Sequence, residues 1–412
     1  MIKKFMEKFG RDELVRGSFV LLVMVNLYNI LNQLFHLFMA RFLGPIDYGI
    51  LTVLFSIIYI IAIPSEAVQN VIAAYTNQLT LKKEDGKIKF MLFKSLKKGF
   101  LISTILFIFY ILLALFLSYF LKIEYWLFII TGILIFTIFP IPTLRGIILG
   151  KKKFVSLGVN MVLEGFIKIS MGIILVILGL KVYGAIFAVM LGTFISFFLA
   201  FFLIRDILRE KIKEEKFKKI YSYSLPYFIS IISIALISSL DVIFARKFFS
   251  PETAGIYSAA STLGKIIFFG ILAISKVMLP LTSEKYHNGE KTTPLLRKSL
   301  GITFFISLII LLFYLLMPSI IIKILFGIKY ISAEGILFLV GLGFSFLSFT
   351  NIVILYGLLT NKIKKSSFTL FFFILLEILL FYLFHESITE YAASFLITNF
   401  LMFIYSLFLI RR

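Results

Sequence analysis

Stretches of about 20 mostly apolar residues follow one another along the whole chain, parted only by short polar segments. A helix of about that length crosses the hydrocarbon core of a bilayer. Scanning on this basis predicts spans at 17–40, 47–72, 97–121, 125–149, 154–180 and 182–204, then 222–245, 255–281, 299–322, 335–359, 367–384 and 389–410. With 60% hydrophobic and only 15% charged residues, the sequence cannot clothe a soluble surface, which needs about 25% charged residues. Disorder, collagen-like repeats and coiled coils are excluded by the same figures. The predicted fold class is all-α integral membrane, with about 12 transmembrane helices.

The 412 residues contain no cysteine and three scattered histidines, His36, His287 and His385. Disulfides, thiolate metal sites and cysteine nucleophiles are thereby excluded, and no zinc cluster is indicated. No cofactor is expected. The apolar run from Phe19 to Phe38 exceeds a signal-peptide core and lacks a cleavage pattern, so it is expected to be retained as the first helix.

Lys and Arg number 42 against 21 acids. Of these, 31 fall on one alternating set of segments: 1–16, 80–98, 151–153, 205–219, 285–298, 362–365 and 411–412. Basic residues concentrate on the cytoplasmic side, so a multi-pass protein of the cell membrane with both termini cytoplasmic is expected. The net charge of +21 is therefore topogenic, with attraction to anionic membrane lipids secondary. Because no basic segment forms a domain, nucleic acid is not expected as a partner.

The stretch Arg205–Lys216 is the most polar in the chain and reads as an amphipathic linker at mid-chain. It divides the sequence into an N-terminal six-helix lobe (1–207), a charged cytoplasmic linker (208–219) and a C-terminal six-helix lobe (220–412). The halves are weakly alike. Ala40-Arg41-Phe42-Leu43-Gly44-Pro45-Ile46-Asp47-Tyr48-Gly49 recurs loosely as Ala245-Arg246-Lys247-Phe248-Phe249-Ser250-Pro251-Glu252-Thr253-Ala254-Gly255. Lys94-Ser95-Leu96 answers to Lys298-Ser299-Leu300, and Gly146 with Lys151 to Gly357 with Lys362. Six helices per half give both halves the same orientation, so the repeat is parallel. Transporters built this way bind substrate near the midplane between halves.

The Ala-Arg-Phe-Leu-Gly-Pro-x-x-Tyr-Gly segment resembles the one that follows the first helix in polysaccharide-export flippases of the multidrug/oligosaccharidyl-lipid/polysaccharide exporter superfamily. The similarity covers the whole chain in topology and charge pattern, and about ten residues in sequence. Gly44-Pro45 also suits a tight turn, with a helix restarting near Asp47 as its N-cap.

Charged side chains at the bilayer centre cost about 2.5–3.5 kcal/mol each on insertion scales and so face a cavity or a partner. Within the predicted spans lie Glu66, Arg145, Glu164, Lys168, Asp241, Lys265, Lys276 and Glu377. Asn26, Asn29, Gln33 and His36 share one face of the first helix, Tyr59, Glu66, Gln69 and Asn70 surround a kink at Pro64, and Ser258, Thr262, Lys265 and Lys276 share a face of the eighth. These stripes either line a hydrated cleft or make hydrogen bonds between helices. His36 reads as a satisfied core histidine. Glu164 and Lys168, four apart with the acid first, form either an intrahelical pair or a substrate or gating element. Arg145 reads as snorkelling. Glu377 is expected either to pair with a basic residue of another helix or to be protonated.

The resemblance implies a flippase that moves a polyprenyl-diphosphate-linked oligosaccharide to the outer leaflet by alternating access, for surface polysaccharide or glycan assembly. On that reading Lys265 and Lys276, followed by Lys168, Arg41, Arg246, Asn29 and Gln33, are candidates to bind substrate. Glu66, Asp241 and Glu377 are candidates to couple transport to H+ or Na+. The partners implied are the lipid-linked glycan, membrane lipids and glycosyltransferases of the same pathway. A multidrug exporter of the same superfamily is the alternative, although Lys265 and Lys276 would repel cationic drugs. An integral-membrane glycan enzyme is disfavoured, because the outer segments are short and hold no clustered acid/base set.

Overall fold

The computed structural model describes residues 13–215, 225–360, 362–363 and 367–411, and all regular structure among them is helical. In chain order the helices are α1 (Glu13–Ala62), α2 (Pro64–Leu81), α3 (Asp85–Leu121), α4 (Tyr125–Gly132), α5 (Ile135–Ile138), α6 (Pro140–Gly150), α7 (Phe154–Leu175), α8 (Lys181–Leu203), α9 (Arg205–Arg209), α10 (Leu225–Phe248), α11 (Pro251–His287), α12 (Thr293–Leu316), α13 (Pro318–Leu325), α14 (Glu334–Leu359), α15 (Leu370–Leu383) and α16 (Ile388–Arg411).

Nine long apolar spans stand among the described residues, and two are too long for one crossing: Val23–Ala62 with 40 residues and Phe154–Leu203 with 50. At 1.5 Å per residue these measure about 60 and about 75 Å, roughly twice the hydrocarbon thickness. Each is broken by a glycine in the left-handed region. Gly44 has φ 75°, and Gly179 has φ 90° within the π-helical turn Val176–Leu180. Dividing both there and adding the shorter apolar helix α15 gives the twelve crossings expected from sequence.

Two local expectations are corrected. Gly44 alone departs from helical geometry in α1, so the helix resumes at Pro45 rather than near Asp47. Proline suits a first helical position because its fixed φ is already helical and its missing N–H would have no partner there. At Pro64 the helical path kinks as expected, since Ile63 between α1 and α2 keeps φ −49° and ψ −45°, but α2 continues to Leu81, beyond the predicted end at 72. The mid-chain segment, expected to be an amphipathic linker, is tethered to the first unit in its described part. After the five-residue α9, residues 210–215 are held by backbone acceptors and donors. Lys89 Nζ donates to the carbonyls of Leu208 and Glu210, both at 2.7 Å. The Lys213 amide donates to Gly86 O at 3.1 Å, and Ile207 is fully buried. Residues 216–219 of the predicted linker lie outside the described residues.

The chain forms two compact units, one of residues 1–42 and 61–222, the other of 43–60 and 223–412. In the first, α7 packs along α8 and α2 along α6. In the second, α14 is the central helix, packed between α11 and α16 and flanked by α12. Residues 43–60 belong with this second unit. Tyr48 is fully buried there, its ring edge-on to Phe326 and Tyr330. Its hydroxyl lies 2.8 Å from that of Thr262. Because Thr262 already donates to Ser258 O, Tyr48 is the donor.

Candidate functional site

Among the described residues, each unit holds an ionic cluster within its spans. In the first unit the cluster is built on α7, an apolar helix that carries Asn160, Glu164 and Lys168 at successive four-residue steps and so on one face. Glu164 is 3% exposed and serves two cations. Lys168 Nζ stands 2.5 Å from Oε1, and Arg145 Nη2, from α6, stands 2.5 Å from Oε2. Tyr28 of α1 donates to Oε1 at 3.0 Å. Its approach depends on Gly165, where an added Cβ would meet Leu31 Cβ at 2.9 Å. The Tyr28 ring lies 5.8 Å from the Arg145 guanidinium and 5.6 Å from the Lys168 ammonium, near enough for cation–π attraction.

Arg145 is fixed further by donating from Nε to Asn160 Oδ1 and from Nη2 to Ser196 Oγ, both at 2.9 Å. Ser196 in turn donates to Asn160 Oδ1 at 2.9 Å, and Asn160 Nδ2 to Ser196 O at 2.7 Å. The guanidinium thus sits buried in a closed network across α6, α7 and α8 rather than reaching out to solvent as a snorkelling side chain would. Two cations share one carboxylate, so the formal charge of the cluster is +1.

The second unit has the opposite balance. Asp241 of α10 and Glu377 of α15 are both completely buried, and they act on each other electrostatically. Asp241 Oδ2 accepts from Ser261 at 2.5 Å, and Lys265 Nζ lies 3.8 Å from Oδ1. Tyr391 donates to the Asp241 carbonyl at 2.6 Å, stacks on Phe381 at 4.2 Å and meets Tyr257 edge-on at 5.1 Å. Among the described residues neither oxygen of Glu377 has a hydrogen-bond partner, nor has the Tyr257 hydroxyl. Two carboxylates against one ammonium give a formal charge of −1. Leaving a carboxylate buried and unpaired is costly, and a proton or a small cation there would lower that cost.

Of the residues singled out from sequence, Lys265, Asp241 and Glu377 thus come together in one cluster, and Lys168 lies in the other. Glu66, Arg41 and Asn29 are exposed, Gln33 is partly exposed and Arg246 is buried. Arg246 feels the charge of Asp47 within the second unit. The Lys276 side chain lies outside the described residues. Ser258 donates to Ala254 O, so it and Thr262 satisfy themselves along α11. Sequence reading missed Tyr28, Asn160, Ser196, Ser261, Tyr257 and Tyr391 and misjudged Arg145. The four-residue spacing of Asn160 with Glu164 and Lys168 was a readable signal, whereas the tyrosines are indistinguishable from core aromatics.

Comparison with known proteins places this geometry. No curated protein matches the chain. A solved multidrug resistance MATE family transporter of the MOP superfamily, in an inward-facing conformation, is similar over 93% of this chain and 94% of its own, with 16% identity and a TM-score of 0.78. An outward-facing structure of such a transporter gives 0.69 at 17% identity, covering 97% and 94%. A MOP superfamily transporter from Pyrococcus furiosus, described as having a binding pocket of reverse polarity that suggests a different function, gives 0.64 at 17% identity over the same shares. The family model described as "Polysaccharide biosynthesis protein" matches residues 38–334. This multi-pass membrane chain therefore has the MOP superfamily transporter fold and belongs to the polysaccharide biosynthesis protein family.

Proposed function

We propose that the protein is a flippase that carries a polyprenyl-diphosphate-linked oligosaccharide from the cytoplasmic to the outer leaflet by alternating access. One observation carries this reading: two buried ionic clusters of opposite formal charge lie within the spans of a chain from a polysaccharide biosynthesis family. Ionisable groups inside a membrane mark substrate and ion pathways. The cationic cluster of Arg145 and Lys168 suits a diphosphate. The anionic cluster of Asp241 and Glu377 suits the H+ or Na+ whose gradient drives the cycle. The distribution of basic segments supports cytoplasmic termini, on the side where lipid-linked precursors and their glycosyltransferases reside. Lys265, Lys276, Arg41, Arg246, Asn29, Gln33 and Glu66 remain further candidates for substrate or ion contacts along the path.

The test is depletion of the protein in its host, followed by analysis of lipid-linked glycans. The expected result is accumulation of the precursor in a form that membrane-impermeant lectins reach only after lysis. Unchanged surface glycan and no accumulation would contradict the reading. A second reading, multidrug export, is supported by the similarity to MATE transporters and by the acidic cluster, which a cationic drug would favour. Under it, depletion sensitises cells to lipophilic cations and leaves the glycan pool unaltered.

A further inference from the structure

The cluster of the first unit has a feature that a merely structural ion pair does not need. Arg145 alone would balance Glu164, and that pair already has its guanidinium fixed by Asn160 and Ser196. Lys168 adds a second cation to a carboxylate already in use, at a depth where an unbalanced charge is costly. The two cations are also held differently. Arg145 is locked by three hydrogen bonds to three side chains. Lys168 ends a flexible stem, and its ammonium shares Glu164 Oε1 with the Tyr28 hydroxyl. Tyr28 is partly exposed and lies over both cations with its ring face.

We propose that this cluster is an anion-exchange site for a diphosphate, with Glu164 as its resident counter-anion. In the resting arrangement Glu164 satisfies both cations. When the diphosphate group arrives, Lys168 leaves Glu164 Oε1 for a phosphate oxygen, and Tyr28 retains its bond to the vacated oxygen. Arg145 and Glu164 stay behind as a neutral pair. No bond is made or broken and no proton moves; the surplus positive charge passes from an internal acceptor to the ligand. The proposal rests on the flippase reading for the identity of the ligand, but not for the existence of the site.

The test is thermal unfolding of the purified full-length protein in an uncharged detergent, titrated with inorganic pyrophosphate and, as controls, with sulfate and sodium chloride at matched ionic strength. The wild-type protein is expected to be protected by pyrophosphate and not by the controls. Lys168→Met leaves the Arg145–Glu164 pair balanced, so this variant is expected to be at least as stable as wild type and to lose the pyrophosphate shift. Glu164→Gln removes the resident anion, and the apparent pyrophosphate affinity is expected to rise at least tenfold.

The Lys168→Met arm decides the matter if Glu164→Gln does not fold. A Lys168→Met protein still shifted as wild type overturns the proposal. So does a Lys168→Met protein that is destabilised, since that marks Lys168 as purely structural. Protection by phosphatidylglycerol equal to that by polyprenyl diphosphate would assign the site to bulk lipid headgroups and also overturns it. Glycan flipping by a wild-type protein that pyrophosphate does not protect would sink the site while leaving the flippase reading intact.

Discussion

Gly255, the first-turn glycine of α11, lies hard against the backbone of Pro45: a Cβ added to it would stand 1.8 Å from the Pro45 carbonyl oxygen. Its counterpart in the other copy of the sequence repeat, Gly49, faces it in the same contact, with an added Cβ 3.0 Å from Gly255 Cα. The repeated segment is thus conserved within the chain as two matched helix starts that pack backbone to backbone. At such a contact only hydrogen fits.

Gly255→Ala is therefore expected to destabilise the second unit by about 1–3 kcal/mol, the usual cost of overpacking, because backbone and not a flexible side chain must yield. Gly301→Ala on α12 has nothing within 4 Å and is expected to change little. Thermal unfolding of the two variants beside wild type checks the pair. Equal midpoints for all three would contradict the packing described.

Arg145 holds the cationic cluster together through geometry as well as charge. Arg145→Met strands Glu164 with Lys168 alone and leaves Asn160 Oδ1 and Ser196 short of a partner. Lys168 still neutralises Glu164, so the expected loss is about 1–3 kcal/mol, the cost of leaving buried polar groups short of a hydrogen bond. Arg145→Lys is expected to recover less than half of it, since an ammonium lacks the planar fork that reaches Glu164, Asn160 and Ser196 together. Full recovery by lysine, measured by unfolding, would show that charge alone suffices.

Glu377 has no hydrogen-bond partner to lose among the described residues. Glu377→Gln is expected to leave the midpoint of unfolding unchanged or raised, because it removes a buried carboxylate that no hydrogen bond compensates. Its effect is expected on coupling instead. In vesicles with an imposed proton or sodium gradient, transport by the variant is expected to fall at least tenfold toward the gradient-free rate. A variant still driven like wild type would remove Glu377 from the coupling site.

At the end of the first unit, Lys153 Nζ donates to Leu203 O at 3.0 Å and to Asp206 Oδ1 at 2.8 Å. Partial burial pushes the Asp206 carboxyl up, but the hydrogen bond and charge of Lys153 outweigh it and hold the group below the usual carboxylate range. A depressed acid stabilises the folded state above its unfolded pKa of about 3.9 and loses that contribution as pH falls through the folded value. The unfolding midpoint of wild type is thus expected to approach that of Asp206→Asn below about pH 4 and to exceed it slightly at pH 7. At this exposure the gain is about 0.5 kcal/mol or less, and 1 M salt should shrink it. A difference that persists unchanged at pH 3 would exclude the ion pair as its cause.

The spans were legible because a bilayer imposes one length on every crossing, and the two glycine breaks fall where the hydropathy pattern pauses. The turn at Gly44-Pro45 was legible, whereas the helix start at Ser250-Pro251, where Ser250 accepts from the Thr253 amide, lies ahead of the predicted span. What sequence concealed is nonlocal. Nothing near Arg145 announces that Ser196, 51 positions on, receives its hydrogen bond. Nor does anything near Asp241 announce Tyr391, 150 positions on. The attachment of the mid-chain segment was not legible either, because it runs through backbone carbonyls that receive Lys89 and an ion pair of Glu215 with Lys87, partners more than a hundred positions away.

The account stands or falls on movement of the lipid-linked glycan itself. Proteoliposomes carrying a polyprenyl-diphosphate oligosaccharide, with an ion gradient imposed and externally added glycosidase reporting outer-leaflet substrate, measure it directly. Wild type is expected to render the inner-leaflet pool cleavable within minutes, and Lys168→Met and Glu377→Gln to leave it protected. A pool that stays protected with wild-type protein verified in the membrane, or that is exposed equally by all three proteins, would contradict it.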